Sequence, residues 1–198
     1  IAMIPARYAA TRFPFKLMQP LGNKTVIRHT YDNTVATGLF DEVLVVTDSE
    51  IIFKEIADHG GHAVMSKHPH ESGSDRIAEA AAAMEVDIIL NVQGDEPFID
   101  AGALRKLLNA FEDESVQVAS LMKPFTDMSL VSNPNYVKVT VDKNMNSLLF
   151  SRSVIPYHRE TSLQAVYYEH IGVYAFRKKA LLQFTLWEMT PLESLEKI

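Results

Sequence analysis

The chain has no cysteine among its 198 residues. Disulfide frameworks, thiolate metal sites and a cysteine nucleophile are therefore excluded, and the composition suits a reducing cytoplasm. Long apolar runs are also lacking: none approaches the roughly 20 residues that a helical membrane span requires. No basic segment followed by an apolar stretch opens the sequence, so no signal peptide is read there. The first residue is Ile1, inside an apolar run, and residues are expected to be missing at both termini. Net positive charge is absent as well. With 19 Lys and Arg against 25 Asp and Glu the formal charge is −6, which argues against a general nucleic-acid binder. An anionic small molecule remains compatible if a local cluster of cations meets it. The composition, 47% hydrophobic and 22% charged, is otherwise that of an ordinary globular protein. The length lies under the roughly 250–300 residues at which one core usually splits, so a single domain over residues 1–198 is expected.

Residues 1–6, 42–47, 62–66 and 87–93 are short, aliphatic and nearly continuous in apolar character, the texture of buried strands in a mostly parallel sheet. Helical patterns lie between them. Ile27, Tyr31 and Val35 recur every four residues, with Gly38 as a stop. Asp48 or Ser49 caps a helix that carries Ile52 and Ile56 and ends at Gly60-Gly61. Leu104, Leu107, Leu108 and Phe111 form an i, i+3, i+4, i+7 stripe, with Asp100 as N-cap. This alternation predicts an α/β sandwich. The second half differs: residues 116–123, 136–142, 148–151 and 168–176 are strand-like, and a helical tail follows from Lys178. Turn chemistry at Lys143-Asn144 makes 136–142 and 148–151 an antiparallel hairpin. The expected sheet is therefore mixed, with a small arm from the second half.

Ligands of open α/β sheets collect at the carboxyl ends of the strands. After the first strand, residues 5–16 hold Arg7, Arg12 and Lys16 with no acid and no glycine. Neither the dinucleotide fingerprint nor the Walker loop is present, so side-chain cations would have to meet any phosphates, Arg through its planar fork and Lys as a point charge. A solvated basic loop is the plainer reading of the same residues. The fourth strand ends in Gly94-Asp95-Glu96-Pro97. A hard cation such as Mg²⁺ takes one or two carboxylates plus substrate oxygens, and Asp95 is the best candidate, a cap or turn being the alternative. Together the two loops describe a metal–polyphosphate site. Residues 70–76 open a helix expected to continue through 77–84, and their Ser-Gly-Ser turn offers N–H donors, unless Ser74 is simply its N-cap. No G-x-S-x-G elbow accompanies the serines, and His68 and His70 lack metal-ligand spacing.

Six stretches then combine: Pro5-Ala6-Arg7 with Thr11-Arg12 and residues 14–16; His70-x-Ser72-Gly73-Ser74-Asp75-Arg76; Asn91-Val92-Gln93-Gly94-Asp95-Glu96-Pro97; Asn133-Pro134-Asn135-x-Val137-Lys138; Ser151-Arg152-x-x-Ile155-Pro156; and His170-Ile171-Gly172-Val173-Tyr174. In that order, from Ile1 to about Glu193, they resemble the cytidylyltransferases that activate acidic sugars, in the branch that takes 3-deoxy-manno-octulosonate (KDO). The resemblance implies a Rossmann-like three-layer α/β sandwich with a mixed, mainly parallel sheet, of the nucleotide-diphospho-sugar transferase type. It also implies a cytoplasmic homodimer with no nucleic-acid or membrane partner. The reaction implied moves CMP from CTP to the anomeric hydroxyl of KDO, releasing diphosphate, for lipopolysaccharide synthesis in a Gram-negative bacterium.

By position in the family pattern, Arg12, Lys16 and Asp95 would be catalytic, Asp95 carrying Mg²⁺. Ala6, Arg7, Ser72, Gly73, Arg76, Gln93, Arg159, His170 and Tyr174 would bind substrate. Of these, Arg7, with Arg12 and Lys16, would hold the triphosphate; Arg76, Gln93, Arg159, His170 and Tyr174 would surround the KDO. His170 and Tyr174, four apart on one strand, also read as core. The chain departs from the pattern at Phe15, where the family has Gly, and in a short connection between Arg159 and His170. The family's G-V-D-T-P-E-D segment, source of a second metal-binding Asp, does not occur within these residues. Two rival readings remain at this point: a sialic-acid type cytidylyltransferase, and a non-catalytic nucleotide-binding regulator on the same fold.

Overall fold

The computed structural model describes residues 1–8, 15–70 and 72–198. In chain order the strands are β1 (Ala2–Ala6), β2 (Pro20–Leu21), β3 (Lys24–Thr25), β4 (Val43–Thr47), β5 (Ala63–Met65), β6 (Ile88–Asn91), β7 (Val118–Pro124), β8 (Lys138–Val141), β9 (Ser147–Ser151) and β10 (Tyr168–Arg177). The α-helices are α1 (Val26–Ala36), α2 (Glu50–Ala57), α3 (Gly73–Ala82), α4 (Ala101–Asn109), α5 (Lys178–Phe184) and α6 (Pro191–Glu196). The chain divides into two compact units: Ile1–Ala119 with Val173–Leu186, and Ser120–Gly172 with Trp187–Ile198.

In the first unit the strand order is β5-β4-β1-β6-β10. The first four strands are mutually parallel, and the end of β10 runs antiparallel to β6, Tyr174 facing Asn91. The sheet is mixed and mainly parallel, as the alternation of apolar runs predicts. β4 is buried at every residue and β1 at all but Pro5, which fits strands covered on both faces. Met3, Leu44, Val46 and Ile89 pack with Ile77, Ala78 and Ala81 of α3 and Leu181 of α5. Helices α1 and α2 contact β4, and Ile27, Ile52 and Ile56 are fully buried.

Local details depart from the expected pattern for definable reasons. Val35 is 49% exposed, while Thr30 and Thr34 are buried beside Ile27 and Tyr31. Steps of four residues drift around a helix of 3.6 residues per turn, and the threonines enter the core because their hydroxyls bond the carbonyls of Val26 (3.1 Å) and Thr30 (2.7 Å). Strand β5 is only three residues, with Val64 and Met65 exposed, because it is the sheet edge. Phe111 lies in a 3-10 turn beyond α4, though still buried. The N-caps Ser49 and Asp100 are as expected.

In the second unit β8 and β9 form the expected antiparallel hairpin, and the start of β10 pairs with β8. Lys138 is fully buried; its ammonium donates to the carbonyls of Tyr136 (2.8 Å), Asn133 (3.3 Å) and Arg152, so its three donors each have an acceptor. The expected helical tail is two short helices, α5 in the first unit and α6 in the second. Thr190 and Pro191 start α6 anew, with a capping box between Thr190 and Glu193.

One junction fixes the carboxyl edge of the first unit. A Cβ on Gly73 would lie 2.9 Å from Pro5 Cγ, and one on Gly94 would lie 3.2 Å from the Pro5 carbonyl oxygen and 3.4 Å from Leu17 Cδ1. Thr30 Oγ1 donates to the Gly94 carbonyl at 2.9 Å. Gly73→Ala and Gly94→Ala should each lower stability by about 1–3 kcal/mol. Both push on Pro5, so their effects should not add. Urea midpoints of the single and double variants measure this, and full additivity would contradict a shared contact.

Candidate functional site

Lys16, the last cation of the basic stretch, meets Asp95 of the acidic loop at that junction. Lys16 opens a 3-10 turn, Lys16–Met18, just after Phe15, and its ammonium forms an ion pair with the Asp95 carboxylate. Leu17 abuts Gly94, so the neighbours of both, Lys16 and Asp95, are brought together by the close approach of backbone to side chain. Asp95 and Lys16 are both exposed. An exposed pair of this kind contributes roughly 0–1 kcal/mol to stability and is open to exchange of partners. Beside it, Glu96 donates its N–H to the Gln93 carbonyl at 3.1 Å. The surrounding protein pushes the Glu96 carboxyl up from its ordinary pKa, the Asp95 charge adds to this, and Lys16 opposes it. Arg7 is exposed after β1, whose last residue, Ala6, is buried. Arg12 lies outside the described residues.

Helix α3 begins against Pro5. Its N-cap is Ser72, not Ser74: Asp75 N–H donates to Ser72 Oγ (3.1 Å), and Ser72 N–H and Oγ–H donate to Asp75 Oδ2 (3.2 and 2.7 Å). The Asp at the third helical position makes this a reciprocal capping box, which decides between the two serines. The helix also stops at Ala82, short of the expected Met84. Arg76 is buried at 4% exposure, and its guanidinium donates to Asp48 Oδ2 and Ser66 Oγ, each at 2.8 Å. It thus ties α3 to the residues that follow β4 and β5. His70 Nε2 lies 2.6 Å from Glu79 Oε2. The same carboxylate accepts the Lys67 N–H at 2.6 Å, and these bonds, the Lys67 N–H foremost, hold Glu79 below its usual range.

The remaining candidates lie on or after β10 and β9. Tyr174 faces Asn91 across β10 and β6 and stacks on Phe176 at 5.9 Å between ring centroids; burial pushes its phenol up to about 12. In the second unit, His170 Nε2 is 3.0 Å from Ser120 Oγ and its ring meets Phe150 edge-on at 4.8 Å. Arg159 is exposed on a segment without regular structure. Sequence reasoning missed Asp48, Ser66 and Thr30. The first two follow parallel strands, so the rule that ligand-edge residues follow strands could have flagged them; nothing local marks Thr30.

Similarity to known proteins agrees with this architecture. The family described as Cytidylyltransferase matches residues 1–198. A 3-deoxy-manno-octulosonate cytidylyltransferase of Flavobacterium johnsoniae is 57% identical over 201 residues, covering all of this chain and 82% of the relative. The chain belongs to the 3-deoxy-manno-octulosonate cytidylyltransferase family. The corresponding protein of Christiangramia forsetii is 56% identical, with 100% of this chain and 81% of the relative covered. A solved structure of CMP:2-keto-3-deoxy-manno-octonic acid synthetase complexed with CTP superposes with a TM-score of 0.94 at 34% identity, covering 100% of this chain and 82% of that one. This cytidylyltransferase is therefore a nucleotidyltransferase of the nucleotide-diphospho-sugar transferase fold. The sialic-acid and regulator readings are not favoured. No helix among the described residues is long and apolar enough to cross a membrane.

Burial lowers the His170 pKa, which gives this cytidylyltransferase a directional pH dependence. Above about pH 6.5, the ordinary histidine value, the ring is neutral in folded and unfolded chains alike. As the pH falls below that, the unfolded chain takes the proton first and the folded state loses stability, until the lower folded pKa is passed. His170→Gln should flatten that part of the stability profile between pH 7.5 and 5, read as urea midpoints; an unchanged slope would contradict it.

Proposed function

We propose that the chain transfers CMP from CTP to the anomeric hydroxyl of KDO, giving CMP-KDO for lipopolysaccharide synthesis. The observation that carries the reading is the Lys16–Asp95 pair at the carboxyl edge of β1 and β6, in a chain matched over its full length by KDO cytidylyltransferases. The sugar oxygen attacks the α-phosphorus in line, and the bond from that phosphorus to the diphosphate oxygen breaks. Such transfers depend on positioning and charge neutralisation, with little covalent work for the protein.

In this reading Arg7, Arg12 and Lys16 grip the triphosphate and offset its charge to the same extent in the bound nucleotide and in the diphosphate that leaves. Lys16 exchanges the Asp95 carboxylate for a phosphate when the nucleotide arrives, which frees Asp95. Ala6, Ser72 and Gly73 line the nucleotide side, and the Ser72–Asp75 capping box fixes the start of α3 there. Family resemblance assigns KDO to Arg76, Gln93, Arg159, His170 and Tyr174. Arg76 is engaged by Asp48, and Arg159 is the exposed arginine of the two, which suits the KDO carboxylate.

Mg²⁺ fits the donors present. Asp95 and Glu96 are adjacent carboxylates on exposed residues after β6. An ion held by one or two carboxylates and completed by substrate phosphates requires no more. When bound, it would offset phosphate charge and favour ionisation of the attacking hydroxyl. A homodimer and a cytoplasmic location complete the reading, both carried by the family resemblance.

Diphosphate release from CTP with KDO tests the proposal. Turnover with N-acetylneuraminate alone would reject KDO as the substrate, and CTP binding without diphosphate release would mark a regulator. Asp95→Asn should lower kcat by about a hundredfold or more, while Arg12→Ala should chiefly raise the KM for CTP. Wild-type kinetics in Asp95→Asn would reject its role.

A further inference from the structure

Phe15 has φ 57° and ψ 26°, in the left-handed region that a phenylalanine enters only under strain. Among the described residues two other non-glycines share a positive φ, Met145 and Lys197. Met145 turns the β8–β9 hairpin, its N–H donating to Asp142 O at 3.1 Å, and Lys197 is the C-cap of α6, so local geometry calls for each. Phe15 stands at the start of the Lys16–Met18 turn, its carbonyl accepting the Met18 N–H at 2.9 Å and its side chain making no cap bond. Core burial does not hold it there, since the residue is 45% exposed. Its ring lies on that of Tyr8, with centroids 4.4 Å apart and planes tilted by 40°. Tyr8 directly follows Arg7, and Phe15 directly precedes Lys16. The ring contact therefore ties together the two ends of the cationic loop. The unusual backbone of Phe15 also sets the direction in which Lys16 leaves, toward Asp95.

We propose that Phe15, held on Tyr8, is a positioning residue that fixes Lys16 for the CTP triphosphate. The inference rests on the reading of Lys16 as a phosphate-binding cation, and it assigns to two aromatic side chains a task that involves no contact with the reacting atoms. If the rings release, Lys16 samples more directions and ground-state binding of CTP weakens. Burying or exposing a core is not involved.

The test is steady-state kinetics of the full chain, with CTP varied at saturating KDO, alongside melting temperatures. Phe15→Ala, Phe15→Gly and Tyr8→Leu should each raise the KM for CTP about three- to tenfold, with kcat changed by less than about twofold, a size in keeping with one aromatic pair. Phe15→Tyr and Tyr8→Phe, which keep the ring contact, should keep the wild-type KM. The Gly variant should melt a few degrees above the Ala variant, because glycine takes a positive φ without strain, yet the two should share the same raised KM. A KM that follows melting temperature, the Gly variant recovering and the Ala variant not, would overturn the proposal in favour of a structural role. An unchanged KM in all variants would overturn it as well. No CTP-dependent turnover by the unaltered chain would overturn the functional reading together with this inference, an outcome distinct from normal turnover with indifferent variants.

Discussion

Pro5, next to last in the first parallel strand, has a glycine pressed on two of its sides, and the candidate site depends on that close approach. Gly73 lets the start of α3 lie against the proline ring, and Gly94 lets the loop after β6 lie against the proline carbonyl and Leu17. A methyl group at either place would stand between elements that now touch. Through Leu17 the second contact also sets where Lys16 can reach, and through Gly94 it sets where Asp95 begins. The ion pair is thus a consequence of backbone packing. It needs no strength of its own, and an exposed pair has little.

Charged residues around the site divide into those engaged within the protein and those open to solvent. Arg76 and Asp48, and His70 and Glu79, bond to one another or to backbone N–H groups at 2.6–2.8 Å. Their work is to hold the segments after β4 and β5 and the approach to α3. A buried guanidinium deprived of its carboxylate is costly, so the shape of this edge rests on Arg76 and Asp48 together. Arg7, Lys16 and Asp95 are exposed, and the Lys16–Asp95 pair is open to exchange of partners. The same residue types thus serve as scaffold or as candidate ligand according to burial, which the sequence does not display.

What was legible follows from the range of the interactions that decide it. The buried runs of β1, β4 and β6, the hairpin of β8 and β9 and the caps Ser49 and Asp100 depend on neighbours within a few residues, and they read correctly. The meeting of Pro5 and Lys16 with Gly94 and Asp95 was readable because parallel strands send their carboxyl ends to one edge. Ser72 could not be separated from Ser74 without knowing that Asp75 closes the box. Val35 gave way to threonines whose hydroxyls find carbonyl partners inside the core. The partners of Arg76 and Lys138 come from distant segments or from the carbonyls of turns, and no spacing rule announces them. The interrupted tail is likewise decided by tertiary contacts, since α5 joins the core of Ile77 and Phe176 while Glu196 of α6 accepts from Ser151 Oγ and Arg152 N–H, both at 2.6 Å.

The absence of net positive charge acquires a mechanical meaning in this setting. A chain of formal charge −6 repels long polyanions, and Lys16 at the strand junction is already paired with Asp95. A nucleic acid would have to displace that carboxylate while lying against an acidic surface. In the proposed reading a compact triphosphate escapes most of that surface, because it concentrates its charge where Lys16 is held. It also lets the displaced carboxylate take part in binding, provided that a divalent cation accompanies the nucleotide. In the proposed reading, pairing the cation in the free chain favours a small anion that brings its own positive charge. The strain at Phe15, about 1–2 kcal/mol for a left-handed residue, falls at the residue next to that cation, where directional precision is worth such a cost.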